Sequence, residues 1–201
     1  MKYLIMLERI YKSIFKIFIF YILILNFFCF ITTLNPKALI NPFFIKNRTI
    51  SVYLFLKHII FESGIPTKIK DMELIEKTVT HISKKYNVDS LLIHAIIKVE
   101  SEYNPFAISR TGAMGLMQIM PVTFFEMDFN DPFNIEENIE AGTKYLKIQL
   151  TNFKKLELAL SAYNAGPSTI INNKIPEIVE TKQYVKKILI EYTKLKSKEI
   201  H

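Results

Sequence analysis

The residue best suited to chemistry in this chain is Glu100, a carboxylate set into an otherwise apolar helix face. Asp89, a good N-cap, precedes the stretch SLLIHAIIKVES, and the pattern predicts a helix from there through Glu100. Spaced at about 100° per residue, His94, Lys98, Ser101 and Glu102 gather on one side. Leu92, Ile93, Ile96, Ile97 and Val99 fill the other, and Glu100 points between Ile93 and Ile96. Burial disfavours the charged form of a carboxyl group and raises its pKa. A glutamic acid that keeps its proton near neutral pH can pass it to a leaving oxygen. The structural alternative is a buried ion pair, with Arg110, the only arginine beyond residue 70, or with a lysine.

Downstream of Glu100, Asn104-Pro105 closes the helix and Ser109-Arg110-Thr111-Gly112 makes a turn. The segment Gly112-Ala-Met-Gly-Leu-Met-Gln-Ile-Met-Pro121 follows. Gly112 and Gly115 permit backbone geometries closed to other residues and a close approach of ligand to main chain. Met114, Met117 and Met120 offer adaptable apolar contact, though a Met-rich stretch is commonly core; Gln118 supplies a donor and an acceptor. Further on, Ala162-Tyr-Asn-Ala-Gly166 places a flat aromatic ring with a hydroxyl beside an amide. Gly166 can end one helix and Pro167 begin the next.

The elements that must position these residues are helices. Beyond Asp71 no stretch alternates with a period of two, and a first helix is expected from about Asp71 to Tyr86, ended by Asn87. His94, on the polar side of the second, reads as a solvated surface imidazole.

Charge is divided unevenly. Residues 1–70 carry ten Lys/Arg against two acids, and residues 71–201 carry sixteen against seventeen. The basic excess therefore lies beside the apolar N-terminus, a membrane-flanking pattern, and the motif-bearing part has no basic face for nucleic acid. One cysteine, Cys29, permits no intrachain disulfide. No histidine pair has the spacing of a zinc hydrolase, so no metal site is expected.

Lys2, Arg9, Lys12 and Lys16 precede an apolar run, Ile17 to Leu34, of 18 residues. That length suits a membrane span, which needs about 17–25 apolar residues. No small-residue cleavage site follows it, so an uncleaved anchor is preferred to a signal peptide, and Phe28 disfavours lipidation of Cys29. Asn35 to Lys70 reads as a connector in which Ile50 to Phe61, interrupted by Lys57 and His58, forms a short amphipathic helix on the membrane or the domain. The division is thus tail and anchor over 1–34, connector over 35–70, and catalytic domain over 71–201.

Taken together, Glu100-Ser101, the Gly112–Pro121 segment and Ala162–Gly166 resemble the three signature blocks of the soluble-lytic-transglycosylase domain family, within the lysozyme-like superfamily. Asn138-Ile-Glu-Ala-Gly142 with Tyr145-Leu146, and Glu180-Thr181 with Tyr184-Val185, fit as two more. The five blocks stand in the family's order over roughly residues 75–195. The resemblance implies a mainly α, goose-type lysozyme-like domain, here preceded by an N-terminal transmembrane or signal-anchor helix. It implies Glu100 as the catalytic acid, with Ser109, Gln118 and Met120 lining a sugar groove. Tyr163 and Asn164 would face the reacting sugar, and Glu180 and Tyr184 would close the groove's far side. Phe124 and Phe125 depart from the small residues expected after Pro121-Val-Thr.

Peptidoglycan strands are the implied substrate, cut between N-acetylmuramic acid and N-acetylglucosamine without water, leaving 1,6-anhydro ends. Glu100 would first protonate the linking oxygen and then accept the proton of the attacking 6-hydroxyl, so one carboxyl suffices where ordinary glycosidases use two, and the resemblance implies no metal or organic cofactor. A lysozyme-type hydrolase and a non-catalytic peptidoglycan-binding module are the competing readings. The domain is expected in the cell envelope, on the outer side of the cytoplasmic membrane.

Overall fold

A computed structural model describes residue 16 and residues 42–61 and 68–199 of the chain. The apolar run Ile17–Leu34, with the anchor expected there, lies outside the described residues. Among the helices that are described, none is long and apolar enough to cross a membrane.

Seven helices make up the described fold. They are α1 (Pro42–Phe61), α2 (Lys68–Tyr86), α3 (Ser90–Ser101), α4 (Pro121–Glu126), α5 (Ile135–Asn152), α6 (Leu156–Ala165) and α7 (Val179–Glu199), with a 3₁₀ turn at Pro167–Thr169. Extended pairing among the described residues is limited to isolated bridges, two of them joining Ile108, Met114 and Ile119. The mainly α expectation holds. The second helix begins after Asp89 as its capping chemistry predicts, with the Asp89 side chain accepting from Leu91 N at 2.9 Å.

α3 is the helix around which the others are arranged. It packs against α7 and α2, while α2 also lies on α5, and α5 and α7 both contact α6. Ile93, Ile96 and Ile97 are fully buried with Leu116, Met117, Leu146, Leu160 and Ile188 in the main core. Phe124 joins that core, and Phe125 turns outward. The departure at these two positions is therefore accommodated by one ring packed inside and one outside.

Being central, α3 has little polar side left. His94 is buried, not solvated: Nδ1 lies 3.2 Å from the Tyr103 hydroxyl and Nε2 lies 3.3 Å from Glu76 Oε2 on α2. Burial pushes its pKa down, against the pull of Glu76. Ser101, expected on the polar side, is also buried, and its hydroxyl donates to Ile97 O at 3.1 Å and Leu116 O at 2.8 Å. A helical wheel distinguishes polar from apolar, and here the polar side meets another helix instead of water.

α3 ends at Ser101, before the Asn104-Pro105 pair expected to close it. Glu102 and Tyr103 adopt left-handed backbone with φ of 53° and 66°. α1 starts at Pro42, eight residues before the amphipathic segment read from the sequence, and it lies on the domain. Its buried stripe, Asn47, Ser51, Leu54 and His58, is mostly polar.

Candidate active site

The loop from Ile108 to Met120 is the centre of the site, and it is held from three sides. Asn138 on α5 receives Met117 N at 2.8 Å and donates to Met114 O at 3.0 Å and Pro132 O at 2.8 Å. Tyr163 on α6 donates its hydroxyl to Met117 O at 2.9 Å. Ser101 at the end of α3 secures Leu116 O. All of these partners but Pro132 O are backbone groups that the irregular loop could not otherwise satisfy away from water.

Both glycines of this segment serve the protein's own packing. A side chain at Gly112 would come within 2.8 Å of the α1 backbone at Arg48 N, and one at Gly115 within 2.5 Å of Pro132 O. The expected close approach of ligand to bare main chain is therefore replaced by close approach of α1 and α5. Met114 and Met117 are buried outright, and Met120 alone of the three is half-buried at the surface.

The outer face of the loop forms one wall of a groove of about 520 Å³. Ser109, Thr111, Ala113, Gln118, Ile119 and Met120 line that wall, and Tyr163, Asn164, Ala165 and Gly166 line another, with Glu180 and Thr181 at the start of α7. Glu100 reaches the groove from the last turn of α3. The groove thus brings together Glu100, Ser109, Gln118, Met120, Tyr163, Asn164 and Glu180. Tyr184 is not among its lining residues. It stands buried behind Glu100 and not on the groove's far side, because its position on α7 faces α3.

Several polar atoms in the groove are already engaged. Gln118, with φ of 48°, donates its side-chain amide to Ala107 O at 3.0 Å and Gly115 O at 2.8 Å. Its carbonyl oxygen is the atom left for a ligand's donor. Ser109 Oγ accepts from Ala113 N at 2.9 Å and shares a 2.9 Å bond with Thr111 Oγ1. Tyr163 is 7% exposed and its hydroxyl is spent on Met117 O, so it offers the groove a little apolar surface and not a free hydroxyl. Asn164 Oδ1 accepts from Thr181 Oγ1 at 2.9 Å, which leaves its amide NH₂ available. The role of Thr181 carried no sequence signal beyond its place in the Glu180–Val185 block. Tyr145, at a ring-centroid distance of 5.3 Å from Tyr163, completes the wall with an aromatic pair.

Glu100 is only partly exposed, and burial pushes its carboxyl pKa up to about 7. The Tyr184 hydroxyl acts against that rise. This hydroxyl is buried without a well-aligned hydrogen-bond partner among the described residues, and the group it faces is the Glu100 carboxylate. Among the described residues, no cation takes part in setting the pKa of Glu100. Arg110, the arginine considered as its partner, is exposed at the surface turn. Among the described residues the ion-pair alternative is thereby set aside, and Glu100 is an acid in the groove whose raised pKa favours retention of its proton.

A helical domain with a lone acid at the end of its central helix, facing a groove between loop and helices, has the lysozyme-like form. Residues 77–183 match the model of the transglycosylase SLT domain, and the chain belongs to that family. The membrane-bound lytic murein transglycosylase F of Desulfosudis oleivorans is 40% identical over 46% of this chain and 21% of its own length. The transglycosylase of Enterobacteria phage PRD1 is 32% identical over 56% of this chain and 41% of its own. The lytic transglycosylase Slt of Pseudomonas aeruginosa, a solved structure, superposes with a TM-score of 0.55 at 26% identity, over 79% of this chain and 28% of that one. The chain therefore spans well under half the length of these relatives.

Proposed function

We propose that this protein is a peptidoglycan lytic transglycosylase in which Glu100 is the single acid and base. The observation that carries the reading is Glu100, largely withdrawn from water with no cation among the described residues to set its pKa, in the groove of an SLT domain. A carboxyl with a pKa near the working pH can both give and take a proton within one turnover. Glu100 first donates to the oxygen between N-acetylmuramic acid and N-acetylglucosamine. Once ionised, it takes the proton of the muramic 6-hydroxyl, which attacks the anomeric carbon and closes the 1,6-anhydro ring. The intramolecular nucleophile removes the need for a second carboxylate to activate water. Glu180, the other acid on the groove wall, is exposed and sits at the N-terminus of α7, where it serves ligand contact. Ser109, Gln118 through its carbonyl, Met120 and Asn164 through its NH₂ hold the glycan, and Tyr163 supplies ring surface while bracing the loop.

The names of relatives described as membrane-bound support a place in the cell envelope. We place the catalytic domain on the outer side of the cytoplasmic membrane, held by the N-terminal apolar run. The division into anchor, connector and a catalytic domain over 71–201 belongs to the same proposal.

Mass spectrometry of muropeptides released from purified peptidoglycan by the full chain tests the reaction. Anhydro-muramic ends are expected. Reducing ends would replace the transglycosylase with a hydrolase, and intact strands that nonetheless bind the protein would make it a binding module.

A further inference from the structure

The family match begins at residue 77 and takes in every residue that lines the groove, yet one wall is backed by a helix that lies outside it. The loop from Ile108 to Met120 has two faces. Ser109, Thr111, Ala113 and Gln118 look into the groove. Ile108, Gly112 and Met114 look the other way, and what covers them is α1, from the segment ahead of the matched domain.

The contact is specific. Gly112 has a φ of 93°, and its bare Cα face lies so close to α1 that an added Cβ would sit 2.8 Å from both Arg48 N and Asn47 C. Ser51, which has no solvent exposure, lies within 2.7 Å of Gly112 O and donates to it, with Asn47 O at 2.9 Å as its own-helix alternative. One turn on, Leu54 closes a second buried cluster with Met114 and Phe133, packed by Phe55, Phe106 and Ile108. At the far end His58 Nδ1 meets Asp131 Oδ2 at 2.6 Å, with both side chains buried. Three successive anchor points therefore run along one stripe of α1, and the first is bonded to the carbonyl of a groove-wall residue's neighbour.

We propose that α1 is a positioning element of the glycan groove, acting through Ser51 and the Asn47–Arg48 backbone on Gly112 to set the turn that presents Ser109, Thr111 and Ala113. This rests on the groove's being the glycan site proposed above. The turn is short and its internal bonds, Ser109 N to Ala113 O at 2.9 Å and Gly112 N to Ser109 O at 3.2 Å, fix its shape but not its height in the wall. Its height is set from behind by α1. A segment that the sequence places between a membrane-flanking stretch and the domain thus also shapes the substrate wall.

Ser51→Ala and Gly112→Ala test this in the full chain. Ser51→Ala removes the bond to Gly112 O and leaves the helix otherwise intact. It is expected to raise KM for peptidoglycan about fivefold, the fold-change of one buried hydrogen bond, with kcat and the pH profile close to wild type. Gly112→Ala, which forces α1 and the turn apart, is expected to raise KM further. A merely structural role would lower Tm without moving KM, and that outcome overturns the proposal. Should Gly112→Ala fail to fold, Ser51→Ala alone decides. Should the wild-type chain release no muropeptides, the enzymatic reading fails separately. Amide hydrogen exchange at residues 109–115 then carries the test, with loss of protection in Ser51→Ala expected and unchanged protection overturning the role of α1.

Discussion

Two buried acids in this molecule, Glu100 and Asp131, have opposite surroundings. Asp131 Oδ2 meets His58 at 2.6 Å and Oδ1 accepts from Phe133 N at 3.1 Å, while the Asp131 amide is bound by Glu137 at 3.0 Å. Among the described residues, Glu100 has one phenol beside it and no cation, with an open groove in front. Burial alone does not mark an acid as chemical. The difference lies in whether the protein satisfies it: the protein spends its partners on Asp131, and leaves Glu100 to be satisfied by a proton or by a substrate.

The largest effect expected from this contrast is on catalysis. Glu100→Gln keeps the shape and removes the proton donor, and muropeptide release is expected to fall by about a thousandfold with glycan binding retained. Unimpaired release would end the assignment of Glu100. At the other acid the loss should appear in stability. Asp131→Ala leaves His58 buried without its acid and is expected to cost about 3 kcal/mol, seen as a Tm lowered by roughly 10 °C. Molecules that remain folded should still yield anhydro ends; a change of product would mean that the two acids are not separable.

Glu100→Gln should also stabilise the fold, with a sign that depends on pH. The folded pKa of about 7 exceeds the ordinary value of 4.5, so the folded state holds the proton more tightly than the unfolded chain does. The site's favourable contribution is complete below pH 4.5 and is lost as pH rises to about 7. Glutamine has no such loss. Calorimetry is expected to find the variant more stable than wild type by about 3 kcal/mol at pH 8, with the gap closing towards pH 4. A constant gap would place the origin of the effect elsewhere.

The smallest effect concerns Tyr184. Its hydroxyl favours the charged form of Glu100, so Tyr184→Phe should raise the pKa further and move the alkaline limb of the pH–activity profile upward. A downward shift would mean that the phenol supports the protonated form instead.

Much of the site was legible because its chemistry is local. Asp89 caps α3, the apolar side chains of α3 recur at helical spacing, and Glu100 interrupts them where an acid is costly. Gly166 with φ of 89° ends α6 and Pro167 opens a 3₁₀ turn, as their types predict. The readings that changed concern partners distant in sequence. Ser101 and His94 are polar yet buried, because α2 and the loop supply their hydrogen bonds. Tyr184 went from groove wall to the back of Glu100, since only the packing of α7 on α3 settles which way it faces. α1 was legible only over Ile50–Phe61, and its inward face was not, for the same reason: that stripe carries Asn47, Ser51 and His58.

By itself the sequence determined the helical class, the helix that carries Glu100 and the order of the blocks around it, because capping, periodicity and glycine placement act within a few residues. Tertiary structure alone decided that Glu100 has no cationic partner among the described residues, that the two glycines admit α1 and α5, and that Tyr163 spends its donor on the loop. Those outcomes depend on which atoms meet across distances of 20 to more than 70 residues, as between Met117 and Asn138 or His58 and Asp131. A carboxyl's pKa follows from that company, and the raised pKa that suits Glu100 to the proposed chemistry goes with the lack of a counter-charge among the described residues around it.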